Sequence, residues 1–200
     1  MPYTQKTLAD IKQSLADRHE AGTLPTDSAT LSYWTRLLNR AKDYCADRLS
    51  LTKSTSLTTV SGTIVLPDDF IMVNQVVDSN DLVWTLISKE KADLATGTQF
   101  WITGDQDGRF YLNTLTGYDQ TFTVYYTYRP GDMSADADEC VIPDGEAVVA
   151  RAYGMLRMAE FDPAEDADKA LGECDRRLDE IVYQRNVNDG PLGFTLQPGA

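Results

Sequence analysis

A single histidine, His19, leaves this chain almost without the imidazole that nucleophilic and general-base mechanisms recruit, so a Ser-His-Asp or Cys-His relay has only one position on which to form. His19 falls at the charged end of a helical stretch, where it reads as a surface residue or a partner of the helix C-terminus. Cysteine is scarce as well. Cys45, Cys140 and Cys174 are an odd, widely spaced set with no C-x-x-C pair, which excludes a zinc ribbon or a dithiol-exchange motif and reads as reduced thiols in a cytosolic product. No run approaches the roughly 18 apolar residues of a membrane span. The opening Met1-Pro2-Tyr3-Thr4-Gln5-Lys6 has no apolar stretch of a secretory signal either, so the expectation is a soluble protein made in the cytoplasm, with no membrane partner. Basic residues are the minority: 18 Lys and Arg against 31 Asp and Glu give a net charge of -13. That excludes an ordinary phosphate-backbone binder, whose affinity comes from cations that displace counterions. The acidic surface keeps the protein in solution, and could also face DNA where repulsion is the purpose.

What is present is a hydrophobic fraction of 42% over 200 residues, enough for a substantial core, and an informative order of patterns. Helix periods over Thr4 to Glu20 and Ser28 to Leu51 come first. Leu8, Ile11 and Leu15 make one stripe. Leu31, Trp34, Leu37, Leu38, Ala41 and Cys45 make a second, on a helix capped by Asp27 or Ser28.

From Leu57 the period becomes two, with β-branched and aromatic residues replacing helix formers. Strands are expected over Leu57 to Leu66, Phe70 to Asp78, Leu82 to Ser88, Gln99 to Thr103, Arg109 to Leu115 and Thr121 to Arg129, with a short helical turn at Lys89 to Leu94. In the last strand Phe122, Val124, Tyr126 and Tyr128 share one face. An acidic loop, Asp132 to Glu139, reads as solvated. Two more helices follow over Asp144 to Glu160 and Ala164 to Arg185. The first buries Ala147, Ala150, Met155, Leu156 and Ala159. The second, with Asp162 as N-cap and Pro163 at its first position, aligns Ala167, Leu171, Cys174, Leu178 and Ile181. The expected architecture is α+β: a four-helix bundle from residues 1–55 and 140–185, an inserted antiparallel β subdomain over 56–130, and an extended C-terminal arm over 186–200.

Reactive constellations reduce to structural readings. Asp105 and Asp107 lack the ligand spacing of an EF-hand and sit in a hairpin turn. Asp68 and Asp69 follow Pro67 in a turn where carboxylates accept from backbone amides. The aromatics Trp84, Trp101, Phe110, Tyr111, Phe122, Tyr125, Tyr126 and Tyr128 could stack sugars or bases, but a small β core needs such side chains for buried area. No catalytic residue, metal or cofactor is assigned.

Three segments carry a resemblance: Tyr33-Trp34-Thr35-Arg36-Leu37-Leu38-Asn39-Arg40-Ala41, Leu66-Pro67-Asp68-Asp69-Phe70-Ile71, and Phe122-Thr123-Val124-Tyr125-Tyr126-Thr127-Tyr128-Arg129-Pro130. In this order, with a β insertion between helix pairs, the chain resembles the phage head-to-tail connector adaptors, the head-completion proteins whose podovirus members are called tail tubular protein A. The resemblance implies a virion protein that forms a twelve-subunit ring under the portal protein. It also implies contact with neighbouring copies and a downstream tail protein, with DNA passing through unbound. The arm's alternating Leu192, Phe194 and Leu196 would then be the portal-docking residues. A stopper or tail-completion protein is the neighbouring alternative. A carbohydrate-binding or hydrolytic module is the alternative from another class.

Overall fold

The computed structural model describes residues 5–19, 22–115, 120–160 and 164–189, the side chains of 164 and 186–189 excepted. It is a mixed α+β structure that divides into two compact units, Met1–Leu49 with Pro130–Ala200, and Ser50–Arg129.

Among the described residues the first unit holds four α-helices: α1 (Leu8–His19), α2 (Ser28–Leu49), α3 (Gly145–Ala159) and α4 (Ala164–Asp189). Thr7 and Asp10 open α1 with a reciprocal cap. The Asp10 carboxylate accepts from the Thr7 backbone N–H at 2.9 Å, and the Thr7 hydroxyl oxygen accepts from the Asp10 N–H at 3.2 Å. Asp27 caps α2 by accepting from the Thr30 N–H at 2.8 Å. Leu8, Ile11 and Leu15 on α1 and Trp34, Leu37, Leu38, Ala41 and Cys45 on α2 are buried, while Leu31 is only half-buried.

The third helix departs from its expected stripe. Val148, Val149 and Ala152 are buried with Ala147, Ala150 and Leu156, whereas Met155 is half-buried and Ala159 exposed. The cause is position: α3 packs against α1, α2 and α4, so small apolar residues are covered nearly all round. Helix α4 buries Ala167, Cys174, Leu178 and Ile181, with Leu171 half-buried, and runs to Asp189, four residues past its expected end. The caps expected at Asp162 and Pro163 lie outside the described residues.

The acidic loop is not merely solvated. Asp138 accepts from the Ser134 and Ala135 N–H groups at 2.6 and 2.8 Å, which holds its carboxyl below the usual range. Its backbone carbonyl accepts from the Leu8 N–H at 2.8 Å. Met133, Cys140 and Ile142 are buried beside it.

Among the described residues the second unit holds seven strands: β1 (Thr52–Thr58), β2 (Thr63–Val65), β3 (Phe70–Asp78), β4 (Thr85–Leu86), β5 (Gln99–Gly104), β6 (Phe110–Asn113) and β7 (Thr121–Tyr128), with a 3-10 turn at Lys89–Leu94. They form two sheets, in the orders β1-β7-β3 and β2-β6-β5-β4. The single strand expected over Leu57 to Leu66 is two strands in different sheets. Ser61 and Gly62, both at positive φ (53° and 78°), turn the chain between them, and Val60 and Thr63 bridge across that turn. The polar run Thr52 to Ser56 pairs with β7 as an edge strand whose weak apolar alternation hid it. The expected strand over Leu82 to Ser88 keeps only Thr85 and Leu86, which pair with β5 in parallel, so the subdomain is not wholly antiparallel. Ile64, Leu66, Phe70, Val76, Trp84, Phe100, Leu112, Phe122, Val124 and Tyr126 form its core.

Candidate functional site

Charged and polar side chains come together in both units. In the helical unit an ion-pair chain ties three helices. Glu146 at the start of α3 receives Lys6 and, at 3.0 Å, Arg18 from α1. The Arg18 guanidinium turns its other nitrogen to Glu173 on α4, also at 3.0 Å. Arg177 pairs with Glu173 and Asp144, each at 2.9 Å, and Asp144 caps α3 by accepting from the Glu146 N–H at 3.0 Å. Hydrogen bonds from Arg18 hold the Glu173 carboxyl down at about 2, against partial burial, with Arg177 adding to the effect. Glu146 is also below its usual range: burial opposes this, but the bonds from Lys6 and the charge of Arg18 outweigh it. This is a structural clasp, since every carboxylate in it is already matched to a cation.

A second clamp secures the chain where it re-enters the helical unit. The Lys42 side chain on α2 is 1% exposed and donates to the Pro130 and Gly131 carbonyls at 3.2 and 2.6 Å, with Asp43 at 3.2 Å as counter-charge. Asn39 bonds both the N–H and the carbonyl of Met133 at 2.9 Å. Asn39 and Lys42 share a face with Cys45 at helical spacing, so they interrupt what reads as an apolar stripe. Only a buried backbone in need of donors and acceptors explains them. His19, read as a surface residue or a partner of the helix C-terminus, ends α1 packed edge-on to Trp34 and Tyr153, with ring centroids 5.9 and 6.4 Å away, and pairs with Glu160 at 3.2 Å.

In the β unit the Leu66-Pro67-Asp68-Asp69-Phe70 segment forms a turn closed by the Phe70 N–H on the Pro67 carbonyl at 3.0 Å. Asp69 pairs with Lys53 of β1 and accepts from the Tyr126 hydroxyl at 3.3 Å. Its backbone carbonyl accepts from the Arg129 N–H at 2.8 Å. Lys53 lies over the Tyr128 ring, 4.6 Å from its centroid. Beside this cluster an open cleft of about 280 Å³ is lined by Asp68, Asp69, Phe70, Ile71, Phe110 and Arg129. Its mouth is shallow and of mixed charge, and Ile71 and Phe110 stay partly exposed around it. Such a surface suits a protein segment better than an enclosed small molecule.

The Asp105 turn is a hairpin between β5 and β6. The carboxylate accepts from the Asp107 and Arg109 N–H groups at 2.9 and 2.8 Å and from the Tyr111 hydroxyl at 2.8 Å, which lowers its pKa. The aromatics divide: Trp84, Phe122 and Tyr126 are buried, Trp101, Tyr111 and Tyr128 are half-buried, and Phe110 and Tyr125 are exposed. Among the described residues no group of His, Cys, Asp and Glu is placed to hold a metal ion, and no helix is long and apolar enough to cross a membrane. Leu192, Phe194 and Leu196 lie outside the described residues. Of the three segments behind the resemblance, the first lies in α2, the second forms the turn into β3, and the third is β7, the central strand of its sheet.

A helical unit interrupted by a two-sheet insertion is the setting for the comparison that decides the family. The family model described as SU10 adaptor protein matches residues 6–194. The chain belongs to this family. It is a phage head-tail adaptor family, as the connector resemblance implied, and membership implies a virion location among other head or tail proteins. A comparison with curated proteins returns no match.

Proposed function

We propose that this SU10-family adaptor is a structural component of a tailed-phage virion, forming a ring, of twelve copies by the connector resemblance, that joins the portal to the tail and surrounds the DNA channel. The observation that carries this reading is the family match over residues 6–194, across both units and into the C-terminal segment. In this reading the four helices act as one bundle forming the body of the ring. The β unit offers its open edge at β1 and its cleft to a tail partner, because unpaired strand edges pair readily with other chains. The net charge of -13 serves passage of DNA, since phosphates meet few cations on which to settle. No catalytic step is part of this role. The C-terminal segment docks on the portal through Leu192, Phe194 and Leu196, apolar anchors of the kind that dominate such contacts.

The test is electron cryo-microscopy of the protein mixed with its cognate portal, beside a variant truncated after Asp189. Cutting there spares α4 to its observed end. A ring on the portal with the intact chain, lost on truncation while circular dichroism is unchanged, supports the role and the docking residues. A ring that survives truncation moves portal docking to another surface, and persistent monomers with the intact chain overturn the adaptor reading.

A further inference from the structure

Cys45 and Cys174 come from the buried stripes of α2 and α4 and meet with their sulfurs 3.9 Å apart, in a sequence that spaces them far apart. Both side chains are wholly buried, and both are free thiols. We propose that this pair is an oxidation site, forming an intramolecular disulfide that staples α2 to α4.

The geometry supports closure. A disulfide needs an S–S separation of about 2.05 Å, so the two sulfurs must approach by about 2 Å, a distance within the swing of two side chains about their Cα–Cβ bonds. The surroundings favour reaction at Cys174. Arg151 lies 3.8 Å from the Tyr44 ring centroid, the Tyr44 hydroxyl donates to Asp175 at 2.7 Å, and the guanidinium charge is felt at both thiols. The Arg151 Nε is buried and, among the described residues, has no hydrogen-bond partner. With the shared proton on Cys45, the Cys174 thiol sits below its ordinary range, helped by Arg151 and Arg48 and opposed by burial and Asp175. Cys45 is pushed up by the same sharing and by burial.

Burial makes the size of the oxidant matter. Hydrogen peroxide is small enough to enter by local opening, whereas a bulky disulfide reagent is not. In the first step the Cys174 sulfur attacks one peroxide oxygen. An S–O bond forms, the O–O bond breaks, and the displaced hydroxide leaves as water with the thiol proton. In the second step the Cys45 sulfur attacks the resulting sulfenic sulfur. The S–S bond forms, the S–O bond breaks, and a second water carries off the Cys45 proton. Two thiols lose two electrons in all, and one peroxide becomes two waters.

This site does not depend on the adaptor role, and its test uses the full chain alone. The protein is treated with millimolar hydrogen peroxide, alkylated under native and unfolding conditions, and analysed by intact mass and peptide mapping without reductant. The expected result is a mass loss of about 2 Da, a cross-linked peptide pair carrying Cys45 and Cys174, and alkylation of Cys140 alone. The melting temperature should rise by roughly 5–10 °C, because the bridge closes a long loop, and dithiothreitol should reverse both changes. Cys140→Ser should keep the bridge and Cys174→Ser should lose it. Recovery of Cys45 and Cys174 as separate alkylated peptides from oxidised protein that keeps its circular dichroism overturns the proposal. So does a sulfinic acid at Cys174 without a bridge, or a bridge through Cys140.

Discussion

In the helical unit one large ring, Trp34, sits among many modest contributions, small aliphatic residues on α3 covered by three neighbouring helices and a chain of ion pairs around its start. In the β unit fewer, larger side chains fill the space between two thin sheets. Trp84 meets Phe122 edge-on, with ring centroids 4.8 Å apart, and Phe70 lies 5.8 Å from Tyr126. A helix surrounded by others can bury an alanine usefully, because backbone approaches backbone there. A sheet of three or four short strands cannot reach native burial without aromatic volume. The difference bears on function, since an inserted unit built on few large anchors can vary its exposed edges and loops while its core stays fixed.

The sharpest way to break the comparison is to remove one anchor from each unit. Phe122→Ala should cost about 4–5 kcal/mol, because the ring is wholly buried and its loss also strands Trp84. Leu38→Ala on α2 should cost about 2–3 kcal/mol, with many neighbours left to relax around the gap. Urea denaturation of each variant checks both values. An equal or reversed ranking would mean that the β core is as distributed as the helical one.

Close approach in the helical unit has its own probe, with a smaller effect and a sign that depends on position. A Cβ built at Gly154 on α3 would stand 2.7 Å from Leu171 Cδ2 and 3.2 Å from the Ala167 carbonyl oxygen on α4. Gly154→Ala should therefore destabilise by about 1–3 kcal/mol, as the helices must separate. Gly172, on α4 itself, has nothing within 4 Å of its virtual Cβ. Gly172→Ala should stabilise by about 0.5–1 kcal/mol through helix propensity alone. Thermal melts that moved the two variants in the same direction would contradict the close packing of α3 on α4.

The same contrast explains what the sequence made legible. Amphipathic stripes on α1, α2 and α4 could be read directly, because one face of each is polar and the 3.6-residue period survives. The stripe of α3 could not, because a helix enclosed by three others has no polar face to set its phase. In the β unit Phe122, Val124 and Tyr126 announced β7 by strict alternation. The break at Ser61-Gly62 was hidden by strand-like residues on both sides, and β1 by its polar edge composition. Parallel pairing of β4 with β5 leaves no local trace at all, since two residues carry no periodicity. The clamps at Lys42 and Asn39 were illegible because their partners are backbone carbonyls and amides about 90 residues away. The Glu146 and Glu173 clasp escaped for the same reason, as Lys6, Arg18 and Arg177 converge only once three helices have packed.

That clasp yields a modest effect, with a sign fixed by titration. Glu173 titrates at about 2 in the folded chain and near 4.3 when unfolded, so its pairing stabilises the fold fully only above the unfolded value. As pH falls from about 4.3 towards 2 the unfolded chain takes up its proton first, and the contribution fades until it is gone below the folded value. Glu173→Gln should cost about 1–2 kcal/mol at pH 7, because Arg18 and Arg177 lose their shared acceptor. It should also flatten the fall in stability between pH 4.5 and pH 2, leaving the remainder to Glu146 and the other paired carboxylates. Denaturant titrations of the parent and the variant at several pH values in that window separate the two consequences. Parallel pH profiles would place the acid sensitivity outside Glu173, and Glu146, then the carboxylates that accept from backbone amides in the β unit, Asp78 and Asp105, would become the groups to replace next.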